Sequence, residues 1–309
     1  MKILFMGTPD FAAAVLEELA KSEHEIIGAV SQPDKPKGRG HKLVPTDVKV
    51  MAEKYGIAVF QPEKLKDEAF LPCLKELNPE MIVVAAYGKI LPDYIIDYPQ
   101  YGCINVHASI LPRYRGAAPI QSAILNGDKT TGVSIMKMDY GLDTGDIVSI
   151  EETEIGEYET AGELFDRLAL IGAKLLVKTV SKIENGEAEY TKQDESLSTY
   201  APKITKETAK INWNRPAAEI SKLICAMNPF PAAFSTYNGE IFKIYDAVVT
   251  DGNGESGKIA GLEKNKGLKV YCQKDALYIK TVQFAGSKRM NIEDYARGHE
   301  IEEGLVLGI

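Results

Sequence analysis

The sequence predicts an α/β domain with a mostly parallel sheet, followed by a smaller domain of short antiparallel strands. In the first part of the chain, strand patterns alternate with helical patterns, which is typical of a parallel sheet with helices on both faces. The run MIVVAA at residues 81–86 is apolar throughout, as expected for a strand that is covered on both sides. After residue 208, the segments EIFKIYDAVV, GLKVYCQK and ALYIKTVQF indicate a small barrel or sandwich.

Hydrophobic periodicity predicts each element in turn. Strands are expected at residues 2–6, 26–30, 57–60, 81–86, 103–106, 132–138 and 147–150. Helices are expected after Pro9 and at residues 47–55, 68–77, 118–125, 161–183 and 217–227. Thr8 has the residue type of a helix N-cap, with Pro9 at the first helical position.

A polar segment without periodicity, GEAEYTKQDESLSTYAPKI, separates the two predicted domains. A chain of 309 residues is long enough for both. We therefore expect an α/β domain at residues 1–189, a linker at 190–207 and the C-terminal domain at 208–309. The net charge of −8 disfavours nucleic acid as a partner, although the last third of the chain is relatively basic.

The sequence favours a cytoplasmic protein. It contains no run of about 18 apolar residues, so no membrane span is predicted. The first apolar run is too short for a secretory leader, and Asp10 follows it closely. The four cysteines form no CxxC pair, which argues against a disulfide framework or a zinc site and fits a reducing compartment.

Several common catalytic motifs are absent from the sequence. It lacks the GxGxxG dinucleotide fingerprint, the GxxxxGK[ST] phosphate loop and the GxSxG nucleophile elbow. HExxH and clustered His or Cys residues are also missing, so no metal is expected. These absences favour direct transfer between two bound substrates over covalent or metal catalysis.

Polar residues follow the predicted strand at residues 103–106, in the stretch NVHASILPRYRGAAPI. Residues two apart in a strand face the same side, so Asn105 and His107 are expected to point into the same space. An amide donor beside an imidazole suits carbonyl chemistry, because one group stabilises an oxyanion and the other handles a proton. A buried polar pair without catalytic function is the alternative.

A third polar group is expected from GLDTGDI at residues 141–147, where two glycines allow a tight turn. Asp143 or Asp146 would orient His107 and stabilise its charged form. The alternative is that the aspartate bonds only to its own turn.

The segment QPDKPKGRGHKLVP at residues 32–45 carries three prolines and a cluster of positive residues. This composition predicts a loop, neither helix nor strand. Its basic residues favour equally a solvated surface and a loop that closes over an anionic ligand.

The pattern Asn-x-His, Ser-x-Leu-Pro and Arg-Gly-Ala-x-Pro, together with GLDTGDI, resembles the signature of the folate-dependent formyltransferases. MGTPDFA, QPDKPKGRG, VVAAYGKILP, RGAAPIQ and MNPFPAAF extend the resemblance from Met1 into the C-terminal domain, and are most similar to members that act on initiator tRNA. The resemblance implies a Rossmann-like catalytic domain and a C-terminal OB-like β-barrel. It also implies formyl transfer from 10-formyltetrahydrofolate to the amine of initiator methionyl-tRNA.

By position, the resemblance implies that Asn105, His107 and Asp143 are the catalytic residues. It implies a folate site lined by Ser109, Ile110, Leu111 and Pro112, where Ile110 replaces the family's usual Leu. Arg39 corresponds to a loop arginine at the acceptor end of the tRNA, and the neighbouring Lys37 and Lys42 are expected to contact it too. For Arg113 and Arg115, the sequence leaves open whether they contact the folate tail or tRNA phosphates. We expect no metal, no stable protein partner and a monomer.

Three other functions are compatible with the same residues. One is a formyltransferase acting on a small amine, such as an amino-sugar nucleotide or glycinamide ribonucleotide. Another is a hydrolase that releases formate from 10-formyltetrahydrofolate. The third is a folate- or RNA-binding module without catalysis, which would leave Asn105, His107 and Asp143 without a role.

Overall fold

The computed structural model describes residues 1–37 and 42–308 and divides the chain into two compact units. The first comprises Met1–Gly116, Thr130–Thr153 and Phe165–Ala201. The second comprises Ala117–Lys129, Glu154–Leu164 and Pro202–Ile309. Each unit is therefore made of several separate stretches of the chain. Of the expected linker, the residues up to Ala201 belong to the first unit. The boundaries at residues 189 and 208 stay a prediction.

The described part of the chain contains the following elements. The strands are β1 (Lys2–Gly7), β2 (Glu25–Val30), β3 (Lys35–Lys37), β4 (Lys42–Val44), β5 (Val59–Phe60), β6 (Met81–Ala85), β7 (Cys103–His107), β8 (Arg115–Gly116), β9 (Thr130–Lys137), β10 (Ile147–Glu154), β11 (Tyr200–Ala201), β12 (Ala233–Tyr237), β13 (Glu240–Thr250), β14 (Ile259–Glu263), β15 (Gly267–Tyr271), β16 (Ala276–Gln283) and β17 (Met290–Asn291). The helices are α1 (Asp10–Ala20), α2 (Asp47–Lys54), α3 (Leu71–Leu77), α4 (Asp93–Ile96), α5 (Pro119–Asn126), α6 (Ala161–Glu184), α7 (Ala217–Met227) and α8 (Ile292–Ala296).

The first unit is built on a seven-stranded sheet with the order β10-β9-β7-β6-β1-β2-β5. The pairs from β5 to β7 are parallel, whereas β9 runs antiparallel to β7. The chain goes outward from β1 through β2 to β5, then returns to the other side of β1 for β6 and β7. This reversal is the topological switch of a Rossmann-like sheet, and it puts the expected ligand crevice at the carboxyl ends of the strands. The predicted Rossmann-like fold is confirmed.

The strand β7 is paired on both sides, with β6 and β9, and α6 packs closely against it. A side chain at Gly172 of α6 would meet Val106 of β7 at 3.0 Å and Val133 of β9 at 3.1 Å. The absence of a side chain at this position therefore lets the helix lie close against the two strands. Cores are packed as densely as organic crystals, so this contact restrains the strand from which Asn105 and His107 project.

The second unit contains an antiparallel sheet with the order β12-β13-β16-β15-β14, with β17 paired to β16. The mainly antiparallel C-terminal domain is confirmed. Among the described strands, the ladder ends at β12 and β14 and does not close into a full barrel. The helix α7 has the bounds that its apolar periodicity predicted, and it packs on β13.

Two local predictions are wrong. The segment predicted as a loop contains an antiparallel pair, β3 with β4, in which Pro36 lies opposite Leu43. A two-stranded ribbon leaves one edge of each strand unpaired, so a residue without an N–H is accommodated there. Thr8 is not the N-cap of α1, because Pro9 takes that position and the Thr8 hydroxyl donates instead to the carbonyl of Tyr87 at 3.0 Å.

Within residues 1–37 and 42–308, no helix is both long and apolar enough to cross a membrane.

Candidate active site

The strand β7 ends with Asn105 and His107 on one side, as their spacing predicted. In the parallel ladder with β6, Asn105 lies opposite Val84. In the antiparallel ladder with β9, His107 lies opposite Ser134. The Asn105 side chain is half-buried and makes no hydrogen bond with any residue that the structure describes. An unpaired amide at the carboxyl edge of a parallel sheet can donate to a bound ligand.

The imidazole of His107 is buried and has a defined proton arrangement. Its Nε2 lies 2.9 Å from the backbone carbonyl oxygen of Tyr114. A carbonyl can only accept, so Nε2 carries the proton and donates it. The other ring nitrogen, Nδ1, faces the Oδ2 atom of Asp143 at 3.7 Å. A second proton, on Nδ1, would convert this contact into an ion pair.

Asp143 reaches His107 from the turn between β9 and β10. Its Oδ2 accepts the backbone N–H of Gly116 at 2.8 Å, and its side chain is 14% exposed. The backbone of Asp143 is left-handed, with a φ of 54°. Of the two aspartates left open by the sequence, Asp143 is the one that lies against His107. The backbone carbonyl of Asp146 accepts from the N–H of Lys137 at 2.9 Å, which helps to close the same turn.

The turn is tight because Gly145 lies directly against the backbone of β9. A Cβ atom at this position would lie 1.8 Å from the carbonyl oxygen of Lys137, a distance that no side chain can adopt. The second glycine of GLDTGDI is therefore required by a close backbone approach. Its effect is to bring the Asp143 carboxylate to the edge of the sheet.

The four residues expected to line the folate site differ in exposure. Ser109 is fully buried and its hydroxyl donates to the carbonyl of Arg113 at 2.7 Å, and the side chain of Leu111 is buried as well. Ile110 and Pro112 are half-buried and present side-chain surface. Direct side-chain contact with a ligand is therefore available from Ile110 and Pro112, and the folate-site assignment stays a prediction.

A polar network beside Asp143 was missed by the sequence reasoning. The buried guanidinium of Arg115 bonds both carboxylate oxygens of Glu195 at 2.8 Å. It also donates to the Gln193 side-chain oxygen from Nε at 3.0 Å and from Nη2 at 2.8 Å. The Arg115 guanidinium is therefore bonded to side chains of the protein itself, which accounts for it without a contact to the folate tail or to tRNA phosphates. No local pattern identifies this network, because 78 residues separate Arg115 from Gln193.

The segment that follows β6 combines a buried tyrosine with an exposed apolar side chain. The carbonyl of Tyr87 accepts from the Gln32 side chain at 2.9 Å as well as from Thr8. Burial raises the pKa of the Tyr87 phenol to about 12. Three residues further on, Ile90 is 89% exposed, which leaves apolar surface in the segment that follows β6.

The predicted tRNA-contacting residues belong to the β3–β4 region. Arg39 lies outside the described residues, and only the backbone of Lys37 and Lys42 is described, where they pair with each other. Their contacts with tRNA stay a prediction. Across the described ranges, no group of three or more His, Cys, Asp and Glu side chains is arranged to hold a metal ion.

A Rossmann-like sheet in which β7 presents an amide and an imidazole, with a carboxylate against the imidazole, defines an α/β enzyme suited to transfer of a carbonyl-bearing group. Comparison with known families agrees with this class. Residues 1–180 match the model of formyl transferases, and residues 203–300 match the model of the formyl transferase C-terminal domain. The chain belongs to the formyl transferase family, as its motifs predicted.

Curated relatives cover the full length of the chain. It is 49% identical to the methionyl-tRNA formyltransferase of Alkaliphilus oremlandii, over all of both chains. It is 47% identical to the methionyl-tRNA formyltransferase of Agathobacter rectalis, over 98% of each chain.

Solved structures share the fold at lower identity. An N-formyltransferase from Helicobacter canadensis, crystallised with folinic acid and dTDP-3-aminofucose, has a TM-score of 0.64 at 20% identity and covers 94% of this chain and 100% of its own. HypX from Aquifex aeolicus, in complex with tetrahydrofolic acid, has a TM-score of 0.66 at 13% identity. That alignment covers 99% of this chain and 50% of HypX.

Proposed function

We propose that the chain transfers the formyl group of 10-formyltetrahydrofolate to the amine of initiator methionyl-tRNA, giving N-formylmethionyl-tRNA for translation initiation. One observation carries the proposal. Asn105 and His107 face the same side of β7 and Asp143 lies against His107, in a chain that is 49% identical over its whole length to a methionyl-tRNA formyltransferase.

Asn105 is assigned the stabilisation of negative charge. As the methionyl amine adds to the formyl carbon, the formyl oxygen becomes negative and needs a hydrogen-bond donor. The unpaired amide of Asn105 supplies one from a strand held by its neighbours, so little reorganisation is needed during the reaction.

His107 and Asp143 are assigned the charge and the proton. His107 protonated on both ring nitrogens carries a positive charge, which stabilises the developing oxyanion through its field. Asp143 compensates that charge at Nδ1. The attacking amine loses one proton and the folate nitrogen that leaves the formyl carbon gains one. The Asp143 carboxylate is the group assigned to accept and return this proton.

Accessible side chains after β6 and β7 support the proposed folate site. Ile90, Ile110 and Pro112 have accessible apolar side-chain surface, and Asn105 has a side-chain amide without a partner among the described residues. Small-molecule sites combine apolar lining with a few such polar groups. Ser109 and Leu111 are assigned a supporting position behind this surface.

Two observations support tRNA as the acceptor. The curated relatives that match the whole chain are methionyl-tRNA formyltransferases, and the neighbour crystallised with an amino-sugar nucleotide is similar in fold alone at 20% identity. Lys37, Arg39 and Lys42 are also close to one another in the sequence, and positive side chains contribute strongly to affinity for phosphates. We assign the C-terminal domain, residues 208–309, to tRNA binding.

We further propose that the protein acts as a cytoplasmic monomer. All three proposed catalytic residues come from one chain, so the site needs no partner copy. The four cysteines are free, as is common in a reducing compartment.

A formylation assay tests the proposal. The protein is mixed with 10-formyltetrahydrofolate and with methionyl-initiator tRNA, methionyl-elongator tRNA or free methionine. We expect formylmethionine on the initiator tRNA alone. Formate release without an acceptor product would identify a hydrolase instead. If no acceptor reacts, amino-sugar nucleotides and glycinamide ribonucleotide are the next substrates, and the tRNA assignment is wrong.

A further inference from the structure

The side chain of Gln193 holds the turn that carries Asp143. Its Nε2 donates to the backbone carbonyl of Asp143 at 2.8 Å and to that of Gly145 at 2.7 Å. Gln193 comes from the polar segment after α6, and no motif of the sequence points to it. One amide nitrogen therefore bridges two carbonyls on either side of the turn.

The orientation of this amide is determined by its second partner. The Oε1 atom of Gln193 accepts two hydrogen bonds from the guanidinium of Arg115, at 2.8 and 3.0 Å. A guanidinium only donates and a carbonyl only accepts, so a single orientation of the Gln193 amide satisfies both sides. Arg115 is buried and anchored by Glu195, which makes it a firm support for Gln193.

Asp143 has a left-handed backbone, which aspartate adopts more readily than most residues and which Gln193 holds through its two bonds to the turn. A left-handed backbone is uncommon for a residue with a side chain and persists when its surroundings hold it in place. The same network holds the other side of the contact, since Arg115 directly precedes Gly116, whose N–H donates to the Asp143 carboxylate. Gln193 thus connects the backbone of Asp143 with the strand that binds its side chain.

We propose that Gln193 is a positioning residue for the reaction, which sets the distance between the Asp143 carboxylate and His107 through its two bonds to the turn. The inference rests on the proposed function only in assigning a proton-handling role to Asp143. Gln193 itself is not assigned any contact with substrate.

The first variant is Gln193→Glu, which replaces the donor side of the amide with an acceptor and adds one negative charge. A carboxylate still accepts from Arg115, but its other oxygen faces two carbonyl oxygens that it cannot bond. We expect kcat to fall about 10- to 100-fold, as for a misplacement of about 1 Å, with KM for both substrates within about twofold. The matched control is Gln100→Glu on an exposed turn, which should keep wild-type kcat.

A double-mutant cycle with Asp143→Asn separates positioning from general damage. If Gln193 acts through the Asp143 carboxylate, Gln193→Glu should lower kcat by less than about twofold in the Asp143→Asn background. If Gln193→Glu lowers kcat by the same factor in both backgrounds, the positioning proposal is wrong. Wild-type kcat in the single Gln193→Glu variant would also overturn it.

A measurement without substrate keeps this test independent of the proposed function. The ring signals of the four histidines are recorded by NMR and His107 is identified with a His107→Gln variant. Gln193→Glu should shift the His107 signals and leave those of His24 and His299 unchanged. Unchanged His107 signals would overturn the positioning proposal. If the wild-type protein does not formylate methionyl-tRNA but Gln193→Glu still shifts the His107 signals, only the proposed function is wrong.

Discussion

The Nδ1 atom of His107 lies 3.7 Å from the Oδ2 atom of Asp143, too far for a hydrogen bond and close enough for an ion pair when the ring is charged. The opposite ring nitrogen is already committed to the carbonyl of Tyr114. The contact with Asp143 is therefore the part of the imidazole environment that responds to a second proton. A substitution that removes the charge of Asp143 therefore tests this contact directly.

Asp143→Asn removes the charge and preserves the shape. Asn tolerates a left-handed backbone, and its side-chain oxygen can still accept the N–H of Gly116. We expect kcat to fall about 10²–10⁴-fold, the usual range for losing an acid–base group, with the thermal midpoint close to wild type. Steady-state formylation kinetics and a melting curve check this. Wild-type turnover in a folded variant would remove Asp143 from the mechanism.

Asn105→Ala removes the unpaired amide donor from the site. Because the Asn105 side chain makes no hydrogen bond with any described residue, its loss should leave the fold intact. We expect kcat to fall about 10²–10³-fold, as for loss of one oxyanion donor, while folate affinity is retained. Single-turnover formylation and folate titration measure the two effects. Asn253→Ala, on an exposed loop, serves as the control; equal activity in both variants would contradict the assignment.

Much of the fold was predictable because its patterns are local. The fully apolar run of β6 and the amphipathic period of α7 are each contained within one element. The two-residue strands β8 and β11 were not predicted, because each exists only through pairing with the other, far away in sequence. The hairpin of β3 and β4 was missed because proline normally argues against a strand.

The candidate site divides along the same line. The shared direction of Asn105 and His107 follows from strand geometry, so it could be predicted. Spacing alone left Asp143 and Asp146 open, and only the family resemblance pointed to Asp143, because the choice depends on how the turn lies against β7 and β8. The bond between Arg115 and Gln193 is a tertiary contact without any local pattern.

Arg39→Ala tests the tRNA-contacting region. If Arg39 neutralises one phosphate, the plot of log affinity against log salt should lose about 0.7–0.9 units of slope. Folate affinity should not change, because no folate contact is assigned to Arg39. Filter binding of methionyl-initiator tRNA at several salt concentrations measures the slope. Lys75→Ala on α3 removes an equal charge elsewhere, and the same loss of slope there would argue against a specific contact.

Tyr87→Phe tests the buried phenol, whose hydroxyl has no hydrogen-bond partner among the described residues. A buried hydroxyl without a partner is costly, so its removal should leave the free energy of unfolding unchanged or raise it by about 1 kcal/mol at pH 7. Tyr94→Phe is the matched control, because that hydroxyl donates to the carbonyl of Leu65 at 2.7 Å. Its removal should cost about 1–3 kcal/mol.

The comparison of wild type with Tyr87→Phe also predicts a pH dependence of stability. Burial raises the pKa of Tyr87 from 10.0 to about 12, so the folded state keeps the phenol proton after the unfolded chain has lost it. The resulting contribution to stability is complete below about pH 10 and is lost as the pH rises towards 12. Between about pH 9 and 11, wild type should lose about 1 kcal/mol more than Tyr87→Phe in urea unfolding. Equal losses in the two proteins would show that the phenol titrates alike when folded and unfolded.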